Sequence, residues 1–527
     1  MSDQTAALPA VAPEPARRRG RGATIAIIAS VLAVVVIAGG GFAAWRFLAG
    51  GGPRPAEVLP DSTFAVLSVD LDPSGGQKIE AIKTLRKFPT FREETGVRPD
   101  SDVIKAIWDH TVGKECTKVD YATDVKPWIG QRAAFGGVEL DKGKPLPVVT
   151  LQVKDKDAAS KGFTKLADCA KDSGTDDFGY TVGEDYAIIS DSTAHAQAIQ
   201  AAGQESPLSK DASYQKWTDE AGGPGIVNGY ASSRAVALIK DSFSSELDSA
   251  GPGATKQLDK ALADFKGAGM TLHFKDGGLE LAAASGGVKQ AGQKSVGDHV
   301  GELPKDTAAV VAGSIDGKKI AATLDDALSS LGSVSGIFGD NTTDLSDEIE
   351  QQTGLRVPGD LVTLLGDSFS ISVGGDAPAD LDDVKSPADV PAGYLVRGDD
   401  AAVKDVVDRI QQRLGVQLSD LPATFDTTDG KAALATTPDY AEQLLAKGSL
   451  ADDETFKDVV PHADDSPFLF YLSLDNDWSK AVADAARSTG DKDEREFASD
   501  LEALEAVGLS AWNDGSTGHL LARVTVK

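Results

Sequence analysis

Histidine, cysteine and methionine are scarce in this chain: 527 residues hold six, two and two of them. The six histidines, His110, His195, His273, His299, His462 and His519, form no HExxH or other metal-ligand spacing, which removes the sequence case for a zinc hydrolase. Cys116 and Cys169 are too far apart in sequence for a CxxC redox pair or a cysteine-rich zinc site. No GxSxG elbow, Walker loop or Rossmann fingerprint occurs. Positive charge is also short, with 52 Lys and Arg against 81 Asp and Glu and a net charge of −29, so nucleic acid and anionic lipid surfaces are repelled rather than bound. No catalytic residue, cofactor or metal ligand is assigned from these patterns.

What the chain does have is one long uncharged run, Gly22 to Trp45. A helix of that length spans a hydrocarbon core of roughly 30 Å. Arg17, Arg18, Arg19 and Arg21 precede it and only Arg46 follows closely, an asymmetry that places the N-terminal side in the cytoplasm. The expectation is therefore a basic cytoplasmic tail over 1–21, a transmembrane helix over 22–48, a Gly/Pro linker over 49–57, and an exported remainder, with the plasma membrane as the location. A cleaved signal peptide and a buried core helix are the competing accounts; the run is long for the first, and its Pro/Ala/Arg-rich flank does not suit the second. Residues 1–50 carry five Arg against Asp3 and Glu14, which leaves −32 on residues 51–527. The plain account of that acidity is solubility; a basic partner or divalent cations gathered on carboxylates is the sharper one. Outside the cytoplasm, two cysteines point to a structural Cys116–Cys169 disulfide.

The exported part repeats itself. Leu59-Pro60-Asp61-Ser62-Thr63 leads into the apolar run from Phe64, and about 244 residues later Leu303-Pro304-Lys305-Asp306-Thr307 leads into the run from Ala308. Thr95-Gly96-Val97-Arg98 answers Thr353-Gly354-Leu355-Arg356, and Trp128-Ile129-Gly130 answers Leu364-Leu365-Gly366. Leu208 to Tyr214 answers Leu450 to Phe456, and Gly229-Tyr230-Ala231-Ser232 answers Phe470-Tyr471-Leu472-Ser473. The first copy carries an insertion around Trp108–Tyr121. Short runs at 64–69, 133–139, 147–153, 186–190, 226–231, 269–274 and 279–284 are expected strands, the last two joined at Asp276-Gly277-Gly278 as a hairpin. Helical patterns cover 76–87, 156–170, 193–203, 210–220 and 233–265. The expected fold class is α+β: one N-terminal transmembrane helix, then two tandem homologous α+β domains over 58–290 and 298–527 with largely antiparallel sheets.

The Leu59–Thr63 lead-in, Val69-Asp70-Leu71-Asp72-Pro73, Lys87-Phe88-Pro89 and Asp124-Val125-Lys126-Pro127-Trp128-Ile129-Gly130 resemble an actinobacterial membrane-anchored family of unknown function, of the DUF3352 type. The resemblance covers nearly all of 55–527. It implies a cell-envelope protein with one anchor, and it brings no activity, cofactor or catalytic residue.

Five local patterns invite chemistry, and each has a plainer account. Asp70, Asp72 and Ser74 with Gly75 mimic the start of an EF-hand loop, but the acid falls one place early at Glu80, and a helix turn capped by Asp72 explains the pattern. Ser213 and Lys216 fit Ser-x-x-Lys, which a helix surface matches by chance. Arg397-Gly398-Asp399 spells an adhesion tripeptide at an expected strand-to-helix turn. Asp382-Asp383 and Asp464-Asp465 are acid pairs in a chain rich in acids. Trp128 has apolar Leu364 as its counterpart, which suits a core position better than a stacking platform. The function expected is binding, scaffolding or regulation in the envelope. The partner is an unidentified envelope protein or a small ligand held in a groove between the two repeats. A carboxylate-based hydrolase or transferase and a structural spacer are the alternatives.

Overall fold

The computed structural model describes residues 53–71, 103–141, 144–172, 178–242, 263–287, 294–317, 345–375, 384–415 and 423–527, with isolated positions at 77, 80, 81, 83, 84, 87, 88, 319, 321, 322 and 378. The first repeat contributes β1 (Thr63–Asp70), β2 (Ile129–Asp141), β3 (Lys144–Val153), β4 (Gly179–Val182), β5 (Tyr186–Ser190), β6 (Val227–Ser232), β7 (Gly267–Lys275) and β8 (Gly278–Gly286). The second contributes β9 (Ala309–Ser314), β10 (Ser368–Val373), β11 (Ala392–Arg397), β12 (Thr424–Thr428), β13 (Lys431–Ala435), β14 (Phe468–Ser473), β15 (Leu504–Asp514) and β16 (Thr517–Val526). All sixteen lie in one sheet, in the order β12-β13-β11-β10-β9-β14-β15-β16-β8-β7-β6-β1-β2-β3-β5-β4, and every pairing is antiparallel. Taken outward from the centre, the two halves have the same order. β8 and β16, the outermost hairpin strand of each half, pair with each other at the middle.

The repeated residues do repeated work. Thr63 and Thr307 each turn a hydroxyl back onto the carbonyl of the proline three residues earlier, at 2.7 Å, which closes the turn before β1 and β9. Asp211 and Asp453 each cap a helix, accepting from the amides of Tyr214 and Phe456. Those two aromatics meet Tyr230 and Tyr471 edge-on, with ring centroids 5.2 Å apart in both copies. Tyr230 and Tyr471 in turn face Gly269 and Gly508 in register. A Cβ at either glycine would collide with a helix carbonyl, that of Trp217 or Val459, so glycine is what lets each helix end lie on its sheet. The hairpin between β7 and β8 turns on Asp276 and Gly277, both at positive φ, the geometry an Asp-Gly pair favours.

The sheet is covered on both faces over β2, β3 and β5. Val148 and Ile188 point to one core with Leu59, Ile199, Leu208 and Trp217. Their neighbours Val149 and Ile189 point to the other, with Trp128, Phe163 and the Cys116–Cys169 pair. Cys116 and Cys169 are joined by a disulfide with Cα atoms 5.7 Å apart, tying the inserted segment to the helix Lys156–Asp172.

The expected architecture needs two corrections. Among the described residues no helix is long and apolar enough to cross a membrane. The longest, Lys156–Asp172, has 17 residues and is studded with Lys and Asp, which a hydrocarbon core does not accept. The transmembrane helix expected over 22–48 is therefore not an element of the described fold, and that stretch lies outside the described residues. The second correction concerns the two halves. They are not separate bodies with a groove between them, because the β8–β16 ladder runs from Leu279↔Val524 to Gly286↔Thr517 and makes them one sheet. The hydrogen-bonding edge that each hairpin exposes is satisfied by the other, which removes two open edges at once.

A candidate ligand cleft in the second repeat

The two copies differ most instructively where β1 meets β2 and β9 meets β10. Asp70 faces Arg132 across the first pair, and Ser314 faces Ser368 at the equivalent place in the second. In the first copy a buried ion pair fills the site, with Arg132 Nε 3.0 Å from Asp70 Oδ2 and both residues under a tenth exposed. In the second, two small hydroxyl side chains stand there instead. Beside Ser314 the structure opens into a cleft of 690 Å³, lined by Lys294, Ser314, Ile315, Asp316, Gly317, Ala321, Gly359, Val362 and Asp367. That volume is within the range of small-molecule sites.

Each wall has a local cause. Ser314 ends β9, and its hydroxyl donates to the carbonyl of Lys294. Asp316 accepts from the amide of Lys319, at 3.4 Å, and pairs with that side chain's ammonium at 3.5 Å. Val362 projects from the helix Gly359–Leu365, and Gly317 permits its approach, since a Cβ there would lie 2.5 Å from Val362 Cγ1. Lys294 and Asp367, both in the lining, form an ion pair of 3.1 Å, each side chain 71% exposed.

Behind Ser314 lies a buried polar layer. Ser368 and Ser370 hold the two ring nitrogens of His299 at 2.8 and 3.0 Å. Ser372 accepts from the Tyr440 hydroxyl at 2.9 Å. Burial, with the Arg397 and Lys431 charges, pushes the His299 imidazole down to about 3, so it is neutral in the folded protein at ordinary pH. Glu302 receives Lys431 at 3.2 Å and also pairs with Arg397. Burial pushes the Glu302 carboxyl up, but those two cations outweigh it and hold it below the usual range. Burial also takes the Tyr440 phenol to about 12.

The sequence candidates fall elsewhere or into structural roles. Asp70 is taken up by Arg132, and Glu80 accepts from Lys83 and from the amide of Gly277, while Asp72, Ser74 and Gly75 lie outside the described residues. Ser213 lies in the first turn of the helix Ala212–Glu220, and Lys216 sits over the Trp217 ring, 4.4 Å from its centroid. Asp399 caps the helix Asp400–Leu414, and Arg397 is engaged by Glu302. Trp128 is a core residue, 1% exposed, donating to the Asp124 carbonyl at 2.6 Å. Asp464 and Asp465 lie in a surface 3-10 turn, and Asp382 and Asp383 are outside the described residues. His462 and His519 both stack on Trp512, with ring centroids 3.9 and 5.1 Å from it. Among the described residues no group of three His, Cys, Asp or Glu is placed to hold a metal ion. Of the lining residues the sequence marks only Asp316-Gly317, as what the second copy retains of the Asp70–Gly75 pattern, and it assigns them no role.

Residues 26–389 match the family described as a protein of unknown function, DUF3352. The chain belongs to that family. Every residue lining the cleft falls inside the matched span, which ends before β11. No curated protein matches the chain. The family description carries no activity, so the DUF3352 protein's chemistry has to be argued from its own side chains.

Proposed function

We propose that this protein is a binding module of the cell envelope that takes a small ligand in the cleft beside Ser314. The observation that carries the reading is the divergence of two otherwise matching copies at one place. The register, caps and aromatic pairs are kept, while the Asp70–Arg132 pair gives way to Ser314 and Ser368 next to a 690 Å³ cleft. Fold maintenance alone does not call for that exchange, because the first copy holds the same fold with the site filled. The Cys116–Cys169 disulfide supports a location outside the reducing cytoplasm.

The test is a ligand-detected NMR screen of small molecules against the wild type and Gly359→Phe. Gly359 lines the cleft, and a Cβ there meets nothing within 4 Å, so this wall has room for a phenyl ring, which is expected to narrow the cleft. Ligands seen with the wild type and lost with the variant support the reading. Ligands that bind both proteins equally would sink it.

A further inference from the structure

Building on the cleft reading, we propose the class of ligand: a small cation with an apolar body, its ammonium received by Asp367. Among the described residues of the lining, the polar side chains other than Lys294 are acceptors. Asp316 and Asp367 present carboxylates. Ser314 has spent its proton on the Lys294 carbonyl, so it shows only lone pairs to the cleft. The one cation among the described lining residues, Lys294, already lies on Asp367 at 3.1 Å. An anion would have to displace Asp367 from Lys294 while sitting near Asp316, on a chain whose net charge is −29. An ammonium meets the opposite situation. It takes the place of the Lys294 ammonium on Asp367 and gains the Ser314 lone pairs.

Two features make the exchange easy. Lys294 and Asp367 are each 71% exposed, and an ion pair so open to water contributes roughly 0–1 kcal/mol, so parting it costs little. Asp316 is held by the amide and ammonium of Lys319, which leaves Asp367 as the exchangeable carboxylate. The body of the ligand then lies against Ile315, Ala321 and Val362, which are apolar.

Three probes of one shape separate this inference from the reading beneath it: phenethylamine, phenylacetate and phenethyl alcohol, titrated against the full chain by NMR or calorimetry. Phenethylamine is expected to bind most tightly, and Asp367→Asn to weaken it roughly two- to fivefold, the scale of an ion pair as exposed as this one. Lys294→Ala is expected to strengthen it, because the competing ammonium is gone. Both positions are on the surface, so the variants fold, and a circular dichroism melt of each checks that. Phenylacetate binding best, the alcohol binding as well as the amine, or Lys294→Ala weakening the amine would each overturn the cation inference and leave the cleft reading standing. Binding of none of the three, or equal binding by Gly359→Phe, would overturn both.

Discussion

Ala282 faces Leu521 across the middle of the sheet, and each is the other's counterpart in the repeat. Ala282 faces Thr271 within its own hairpin and Leu521 faces Ser510 within its own, at matching distances from the two turns. The seam is thus a pseudo-two-fold axis inside one chain, with the self-complementary pairing that two identical subunits would use. Directly opposed residues in antiparallel strands have Cα atoms roughly 4.5–5.5 Å apart, within the reach of a disulfide. Ala282→Cys with Leu521→Cys is therefore expected to cross-link on mild oxidation of the folded protein. Ala282→Cys with His519→Cys, two residues out of register, should cross-link far more slowly. Equal rates by mass spectrometry would mean the strands do not hold this register.

The native disulfide should be worth several kilocalories. It closes a loop with a sequence separation of 53, for which the chain-entropy argument gives roughly 4 kcal/mol. Replacing both Cys116 and Cys169 by Ser is expected to lower the unfolding free energy in urea by a corresponding amount, with a larger m-value because the unfolded chain is no longer cross-linked. A shift of less than about 1 kcal/mol would show that Val119, Tyr121, Val125 and Phe163 already fix the inserted segment by packing.

Much of this frame could be read from the residues, and the parts that could not share one cause. The lead-in turns, the caps and the hairpin at Asp276-Gly277 are local, so the repeat and most strands were legible in the chain. β4 was missed because Gly179–Val182 is four residues of mixed polarity beside a stronger strand. The helix pattern over 233–265 was too long: its described part is Ala235–Ser242, and residues 263–266 are not helical. The seam escaped because Leu279–Gly286 looks the same whether it edges a sheet or meets its own counterpart. The cleft escaped for a similar reason. The loss of Arg132 at Ser368 means something only once Asp70 and Arg132 are known to face each other, and that is a long-range pairing.

His299 sets a pH dependence whose sign is fixed by burial. The folded imidazole stays neutral down to about 3, whereas the unfolded one takes a proton at 6.5. Between those values the unfolded chain binds more protons, so stability falls as pH drops from about 6.5 toward 3, and below that this group contributes no further loss. At about 1.4 kcal/mol per unit the whole window is of order 5 kcal/mol. His299→Gln keeps a polar side chain between Ser368 and Ser370 but does not titrate. Urea unfolding at pH 7 and pH 4.5 should show a smaller loss for the variant than for the wild type. Equal losses would place the acid sensitivity in other groups.

The Asp70–Arg132 pair makes the sharpest test of how the two copies relate. Arg132→Ala strands a buried carboxylate and is expected to cost roughly 3–5 kcal/mol. The double change Asp70→Ser with Arg132→Ser installs the residues that the second copy already uses at Ser314 and Ser368. It removes both charges together, so it should cost clearly less than Arg132→Ala alone, a non-additivity that chemical denaturation of the variants would reveal. If the double variant is instead the less stable of the two, the hydroxyl pair depends on neighbours found only in the second copy, with His299 on Ser368 the first to examine. The cleft would then belong to a rebuilt layer of the second repeat rather than to a two-residue exchange.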